Sequence, residues 1–189
     1  MINSLIDHIQ KIIALTTEEQ TLLSRYVKQQ EFSKKEHLLT QGQKKTALYF
    51  VVQGCLRMYF IKDNGTEQMV QFAIDNWWIA DYTTLDQHKP AQFYIQAVEH
   101  SKVLILTQSA QEELLEKLPK LERYFRKILQ RAYAASQMRL TYLFDLSAEE
   151  KYNHFNSRFP EFVQRVPQYM LASYLGFSAE LLSRLRAKE

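Results

Sequence analysis

The segment from Val166 to Lys188, VPQYMLASYLGFSAELLSRLRAK, constrains the fold more than any other part of the chain. Pro167 suits the first turn of a helix, where its missing N–H costs nothing. Gly176 suits the end of that helix, where a left-handed residue is needed, and Ser178 is a good N-cap for another. The pattern therefore predicts two short helices joined by a tight turn. Their apolar residues recur at helical spacing, at Leu171, Leu175, Phe177, Leu182 and Leu185.

Two helices joined in this way form a helix-turn-helix, and its second helix enters the major groove of DNA. Ala172 is small where the helices would approach each other, and Glu180, Ser183 and Arg184 can hydrogen-bond to base edges. The alternatives are an ordinary helical hairpin and, for Glu180 with Arg184, a surface ion pair. The candidate DNA-binding residues, on a recognition helix at 178–188, are Ser178, Ala179, Glu180, Ser183, Arg184, Arg186 and Lys188.

Charge is distributed unevenly along the chain, although the net charge is only +3. From Arg123 onwards there are 11 Lys and Arg residues against 6 Asp and Glu, whereas the first 122 residues contain 13 against 15. The basic excess therefore accompanies the proposed DNA-binding helices, as nucleic-acid binding requires. A merely solvated surface would show the same modest excess.

Few residues could support enzyme chemistry. The five histidines form no H-x-H or H-x-x-x-H pair, and no G-x-S-x-G, P-loop or G-x-G-x-x-G motif is present, so we expect no metal, no cofactor and no enzyme activity. A cupin-like small-molecule or metal-binding enzyme remains the rival interpretation. The single Cys55 favours a cytoplasmic protein and is either a small buried residue or a redox sensor. No run approaches the roughly 18 apolar residues of a membrane span.

The first two thirds of the chain change from helical to strand patterning. Residues 3–14 and 16–27 are predicted helices, the latter with a capping box from Thr16 to Glu19. From Glu31 to Thr107, short β-branched and aromatic runs alternate with turn signals, including Asp-Asn-Gly at 63–65, which is typical of a hairpin. This pattern predicts seven or eight strands in an antiparallel sandwich or jelly roll.

Helical patterning returns at 108–118 and continues in a long stretch from Lys120 to about Phe144. Apolar and small residues spaced alternately by four and three positions predict a seam at which a second copy of this helix packs. The alternative is a long helix that packs on its own sheet. Ser147 and Glu150 predict a further capped helix, ending near Phe159. The predicted dimer seam consists of Phe125, Ile128, Ala132 and Ala135.

In this order of parts the chain resembles the Crp/Fnr superfamily of bacterial transcription regulators. The resemblance rests on LYFVVQGCLRMYFIKDNGTEQMV at 48–70 and LGFSAELLSRLR at 175–186. It implies an α+β fold with a cyclic-nucleotide-binding-like β-roll (1–118), a dimerisation helix (119–146) and a helix-turn-helix domain (147–189). It further implies a cytoplasmic homodimer on palindromic double-stranded DNA, with RNA polymerase as a partner and an effector in the β-roll.

The chain departs from the family pattern in three places. Ala80-Asp81 and Ala91-Gln92 stand where cyclic-nucleotide binders carry Gly-Glu and Arg-Ser, so the arginine that neutralises phosphate is missing and cyclic AMP is not expected to bind. Iron–sulfur members use four cysteines, and this chain has one. The chain stops at Glu189, so we expect little or no wing beside the recognition helix.

The degenerate pocket has two interpretations. Its residues are Trp78, Ala80, Asp81, Tyr82, Ala91 and Gln92. The aromatic residues Trp77, Trp78, Tyr82 and Phe93 crowd this region and are either core residues or the lining of a cavity for a planar or apolar ligand. A further alternative for the whole chain is an interaction module whose helix-turn-helix no longer binds DNA.

Overall fold

A computed structural model describes residues 1–44, 47–87 and 89–187. Within these residues the chain forms nine helices and eight strands. The helices are α1 (Ile2–Gln10), α2 (Thr17–Tyr26), α3 (Tyr82–Gln87), α4 (Gln108–Lys117), α5 (Leu121–Asp145), α6 (Ala148–Arg158), α7 (Pro160–Arg165), α8 (Gln168–Leu175) and α9 (Ala179–Arg186). The strands are β1 (Lys28–Phe32), β2 (His37–Leu39), β3 (Ala47–Gln53), β4 (Leu56–Ile61), β5 (Glu67–Ala73), β6 (Trp78–Ile79), β7 (Tyr94–Ala97) and β8 (Ser101–Thr107). No helix in these ranges is long and apolar enough to cross a membrane.

The chain forms two compact units. The first unit contains residues Met1–Phe60 and Gln71–Ile128, and the second contains Ile61–Val70 and Leu129–Glu189. The hairpin between β4 and β5 therefore belongs to the same unit as the C-terminal helices. The three-part functional division at residues 118 and 146 stays a prediction.

The strands form two four-stranded sheets, in the orders β1-β8-β3-β6 and β2-β7-β4-β5. In the first sheet, β3 pairs antiparallel with both β8 and β6, and Phe50 lies opposite Leu104 and Trp78. Together with the long helix α5, these sheets confirm the α+β fold with an antiparallel β-roll.

The largest core of the first unit lies between helices and one side of the first sheet. Leu48 and Phe50 alternate with residues of the opposite side, as the period of a strand requires. Leu5 and Ile9 of α1 pack in the same core, together with Tyr124 at the start of α5. Tyr124 is fully buried, and its hydroxyl accepts a hydrogen bond from Trp78 Nε1 at 2.8 Å.

This core includes two residues of the predicted dimer seam, which stays a prediction. Phe125 is only 9% exposed, and its ring lies 5.9 Å from that of Trp78 and 5.2 Å from that of Tyr124. Ile128 packs against the same core. These two side chains are taken up by their own unit, which leaves Ala132 and Ala135 as the exposed members of the predicted seam.

Gly54, between β3 and β4, makes a close approach to Ser101 at the start of β8 possible. Its φ is +117°, and a Cβ at this position would lie 2.3 Å from Ser101 Oγ. Only glycine fits such a place. The neighbouring Cys55 is fully buried, which favours the small buried residue over the redox sensor.

Candidate nucleic-acid interface

The turn between α8 and α9 follows from Gly176. Its φ of +82° is left-handed, and its N–H and that of Phe177 both donate to Ala172 O, at 2.9 and 3.1 Å. A Cβ on Gly176 would also come within 3.0 Å of Leu143 Cδ2. The left-handed conformation therefore favours glycine, as the sequence predicted, and a larger residue would also have to displace the end of the Leu143 side chain.

α9 is an amphipathic helix with a side-chain cap. Ser178 Oγ accepts a hydrogen bond from Leu181 N at 3.2 Å, which satisfies one of the free amides of the first turn. Leu182 and Leu185 are buried, and α9 packs against α8, where Leu171 and Ala172 are almost fully buried. One face of α9 is thus fixed and the other is open.

The open face carries most of the predicted DNA-binding residues. Glu180, Ser183, Arg184 and Arg186 are exposed, whereas Ala179 is half-buried. The hydroxyl of Ser178 is engaged in the cap, so this residue sets the start of the helix. Lys188 lies outside the described residues.

The electrostatics of this face centre on Glu180. Its pKa is lowered from the ordinary value of 4.5, first by a hydrogen bond from its own backbone, then by Ser178, and least by the charge of Arg184. Glu180 is therefore an ionised acceptor at neutral pH.

Behind the helix-turn-helix, Ser173 binds α8 to the first residues of β5. Its hydroxyl accepts from Met69 N at 3.0 Å and donates to Glu67 O at 3.2 Å. Gln68 Nε2 donates to Ser173 O at 2.7 Å. β5 is an edge strand, whose outer backbone groups need partners, and Ser173 supplies them.

Arg139 of α5 makes a second connection to the same hairpin. Nη1 donates to Val70 O at 2.8 Å and Nη2 to Tyr174 O at 3.0 Å. The guanidinium also lies 4.1 Å from the centre of the Tyr174 ring, while Nε is buried without a partner. Burial lowers the pKa of Arg139, with an opposing contribution from Tyr174. Sequence reasoning missed Ser173 and Arg139; the only signal was a polar residue inside the apolar run at 170–175.

The comparisons with known proteins agree with this architecture. Residues 29–118 match the family described as the cyclic nucleotide-binding domain. The fumarate and nitrate reduction regulatory protein of Vibrio cholerae is 27% identical over 164 residues, covering 80% of this chain and 64% of that protein. The transcriptional activator protein anr of Pseudomonas aeruginosa is 26% identical over 185 residues, covering 92% of this chain and 75% of that protein. Over most of its length, the chain is therefore similar to transcription regulators of the Crp/Fnr superfamily.

Solved structures have the same fold. FixK2 from Bradyrhizobium japonicum aligns with a TM-score of 0.74 at 16% identity, covering 86% of this chain and 83% of that one. The regulator CLP of Xanthomonas campestris aligns at 0.72 with 15% identity, covering 92% and 91%. The chain spans 64% and 63% of two curated relatives, the V. cholerae protein and the anaerobic regulatory protein of Aggregatibacter actinomycetemcomitans, which is less than two thirds of either.

The degenerate Crp/Fnr cassette is brought together in the first unit. Ala80, Asp81 and Ala91 are almost fully buried, and Asp81 Oδ2 accepts from Gln92 N at 2.9 Å. Burial by itself raises the pKa of Asp81, but hydrogen bonds from Thr83, Gln92 and Thr84 outweigh it and lower the pKa from its ordinary value of 3.8. The carboxyl is therefore ionised at neutral pH.

The aromatic residues near the cassette do not form one cluster. Trp78 packs in the core, Phe93 is half-buried, and Trp77 and Tyr82 are 44% and 40% exposed. The prediction that aromatic residues here are mostly core residues fits Trp78 alone. Among the described residues, no group of three or more His, Cys, Asp or Glu side chains could hold a metal ion.

On the second unit's part of α5, exposed apolar side chains form a stripe. They are Leu129, Tyr133, Leu140 and Phe144, spaced so that all lie on one helix face. Tyr133 is 66% and Phe144 88% exposed. Ala132 and Ala135 lie one heptad before Arg139 and Tyr142, which face their own unit. The unpartnered apolar face is therefore offset from the predicted seam.

Proposed function

We propose that this chain is a DNA-binding transcriptional regulator and not an enzyme, that it works as a homodimer, and that α9 enters the major groove. The observation that carries the proposal is the capped helix α9, whose buried Leu182 and Leu185 leave Glu180, Ser183 and Arg184 on its open face. The names of the relatives support a regulator, and they do not favour the cupin-like enzyme.

Each exposed residue has a role that its chemistry fits. Arg184 can donate to both acceptors of guanine, and the ionised Glu180 can accept from the amino group of cytosine. Since the two are one helical turn apart, they contact one G·C pair or two neighbouring ones. Ser183 contacts a base or a phosphate, and Arg186 a phosphate.

The second copy binds along α5. We place the seam at Leu129, Tyr133, Leu140 and Phe144, because these apolar side chains are exposed and unpartnered. A seam of this spacing pairs parallel helices as in a coiled coil. Two copies of α9 related by a twofold axis would then meet two halves of a palindromic site.

The remaining partners are RNA polymerase and a small-molecule effector of the β-roll, in the cytoplasm, as the family resemblance implies. Cyclic AMP is not expected as that effector, because neutral Ala91 and Gln92 stand where a phosphate needs a cation. No cofactor is proposed.

Selection of bound sequences from a random DNA pool tests the base contacts. Arg184→Ala should weaken binding to the selected site by about 1–3 kcal/mol and relax the preference at one base pair. Arg186→Ala is the matched control, since loss of a phosphate contact weakens all sequences alike and reduces the salt dependence. An unchanged consensus with Arg184→Ala contradicts the assignment, and a wild-type protein that selects no sequence favours the interaction module.

Sedimentation at micromolar concentration tests the dimer. Tyr133→Glu should produce monomers, because it places two like charges in an apolar seam. Met138→Glu is the matched control: Met138 is also exposed, at 47%, but lies away from the stripe, so this variant should remain dimeric. A monomeric wild-type protein, or equal effects of both variants, contradicts the proposed seam.

A further inference from the structure

Asp81 is surrounded by hydrogen-bond donors. It is 1% exposed and directly follows β6. Its Oδ1 accepts from Thr83 N at 3.1 Å, Thr83 Oγ1 at 2.6 Å and Thr84 N at 3.4 Å. Its Oδ2 accepts from Thr84 Oγ1 at 2.8 Å and Gln92 N at 2.9 Å. Five donors therefore converge on one carboxylate.

All five donors are neutral. Three are backbone N–H groups and two are threonine hydroxyls, so their dipoles, rather than a lysine or arginine, stabilise the charge. Converging backbone amides of this kind make an anion-binding concavity. A carboxylate with this many donors is well solvated by the protein although it is out of contact with water.

The carboxylate connects segments that are distant in sequence. Thr83 and Thr84 begin α3, whereas Gln92 precedes β7. The neighbouring Ala91 is held in turn by Gln43, whose carbonyl accepts from Ala91 N at 2.8 Å, and by Gly42 N, which donates to Ala91 O at 2.9 Å. The segment that leads into β7 is thus held by Asp81 at Gln92 and by Gly42 and Gln43 at Ala91.

We infer that the Asp81 carboxylate itself occupies the anion-binding concavity of the β-roll. It thereby joins α3 to the segment that precedes β7 without any bound phosphate. A cyclic nucleotide brings one phosphate anion. To enter here it would have to displace the Asp81 carboxylate from five donors, and with alanine at residue 91 no arginine would neutralise the two negative charges. The concavity therefore does not serve an anionic effector.

Chemical rescue tests the inference. Asp81→Ala empties the concavity and should lower Tm by roughly 5–10 °C. Sodium formate, compared with sodium chloride at equal ionic strength, should restore at least half of that loss, because formate is the missing carboxylate. The matched control is Asp75→Ala, in the same unit, which removes a carboxylate that accepts from Gly54 N at 2.7 Å. Formate should not rescue it.

No formate-specific rescue in Asp81→Ala, or equal rescue in Asp75→Ala, overturns the inference. If Asp81→Ala does not fold, Asp81→Asn gives the answer by amide hydrogen exchange. One side-chain oxygen remains for Thr83 N, but an NH₂ group now faces Gln92 N. Protection of the Gln92 amide should fall roughly tenfold, as expected for one lost hydrogen bond, while that of Thr83 stays nearly unchanged.

Titration with cyclic AMP completes the test. We expect no binding to the wild-type protein at micromolar concentrations. Micromolar binding, or unchanged Gln92 protection in Asp81→Asn, overturns the inference. None of these measurements involves DNA, so their outcome is independent of the proposed regulatory function.

Discussion

Asp81 in the first unit and Arg139 in the second both hold two distant backbone segments with one charged side chain. Asp81 accepts five hydrogen bonds and is almost fully buried. Arg139 is half-buried, donates to two carbonyls and keeps a buried Nε without a partner. A fully satisfied buried charge stabilises one conformation strongly, whereas a partly satisfied one offsets much of its gain by desolvation. We therefore expect the first connection to stabilise the fold more than the second does.

The largest difference is expected for Asp81→Asn. Loss of the charge, with a donor facing Gln92 N, should lower the free energy of unfolding by roughly 2–4 kcal/mol, since buried groups are left unsatisfied. Urea unfolding at neutral pH measures this loss. A loss below about 1 kcal/mol would mean that the five donors find other partners, and would break the contrast with Arg139.

Acid should remove from the wild-type protein the stability that the charged Asp81 side chain contributes. The pKa of Asp81 is lowered in the folded state, so its contribution is fully present above the ordinary pKa of 3.8 and is lost as pH falls through the lower folded value. The stability gap between the wild type and Asp81→Asn should therefore be constant above about pH 5 and narrow below pH 4. Urea unfolding over this range, wherever both proteins stay folded, measures the gap. A gap that widens with acid contradicts the pKa direction.

Ser173→Ala tests a second hydrogen-bonded connection in the second unit, beside that of Arg139. It removes the hydrogen bonds that the Ser173 hydroxyl makes with Met69 N and Glu67 O and should cost about 1–2 kcal/mol. Ser173→Thr keeps the hydroxyl and is the control, with a smaller loss. Hydrogen exchange at the Met69 amide locates the effect, because only the alanine variant should expose it. Equal exchange in both variants would show that the hydroxyl does not hold the hairpin.

The smallest effect is expected for Arg139→Met. Two hydrogen bonds are lost, but so is the desolvation of a half-buried cation, and methionine keeps contact with the Tyr174 ring. We expect a change within about 1 kcal/mol of the wild type, measured by urea unfolding. A loss as large as that of Asp81→Asn would show that the two connections are equally strong.

Local signals made much of the fold predictable. The capping boxes at Thr16 and Ser147 occur with the predicted partners Glu19 and Glu150, and Gly176 and Ser178 define the turn before α9. Each depends on residues only a few positions apart, whose chemistry allows one local structure.

What could not be predicted depends on distant partners. β1 is KQQEF, in which only Phe32 is buried, so its strand character comes from pairing with β8. No helix was predicted between Phe159 and the helix-turn-helix, but Pro160 begins α7 there, because the first turn of a helix tolerates proline. The hydrogen bonds of Asp81 with Gln92, of Arg139 with Val70 and of Ser173 with Glu67 join residues 11, 69 and 106 positions apart, and no sequence period indicates them.

The exposed middle of α5 has a consequence for how such a protein would respond to its own abundance. Residues 129–138 are exposed on every side, so within one chain only the neighbouring turns of α5 support their helical structure. In the proposed dimer, a second copy supplies the missing packing, so helical order in this segment rises with protein concentration by mass action. The rates at which the chain is synthesised and degraded then set the fraction of dimer. A higher concentration of the chain therefore also raises the helical order of each copy.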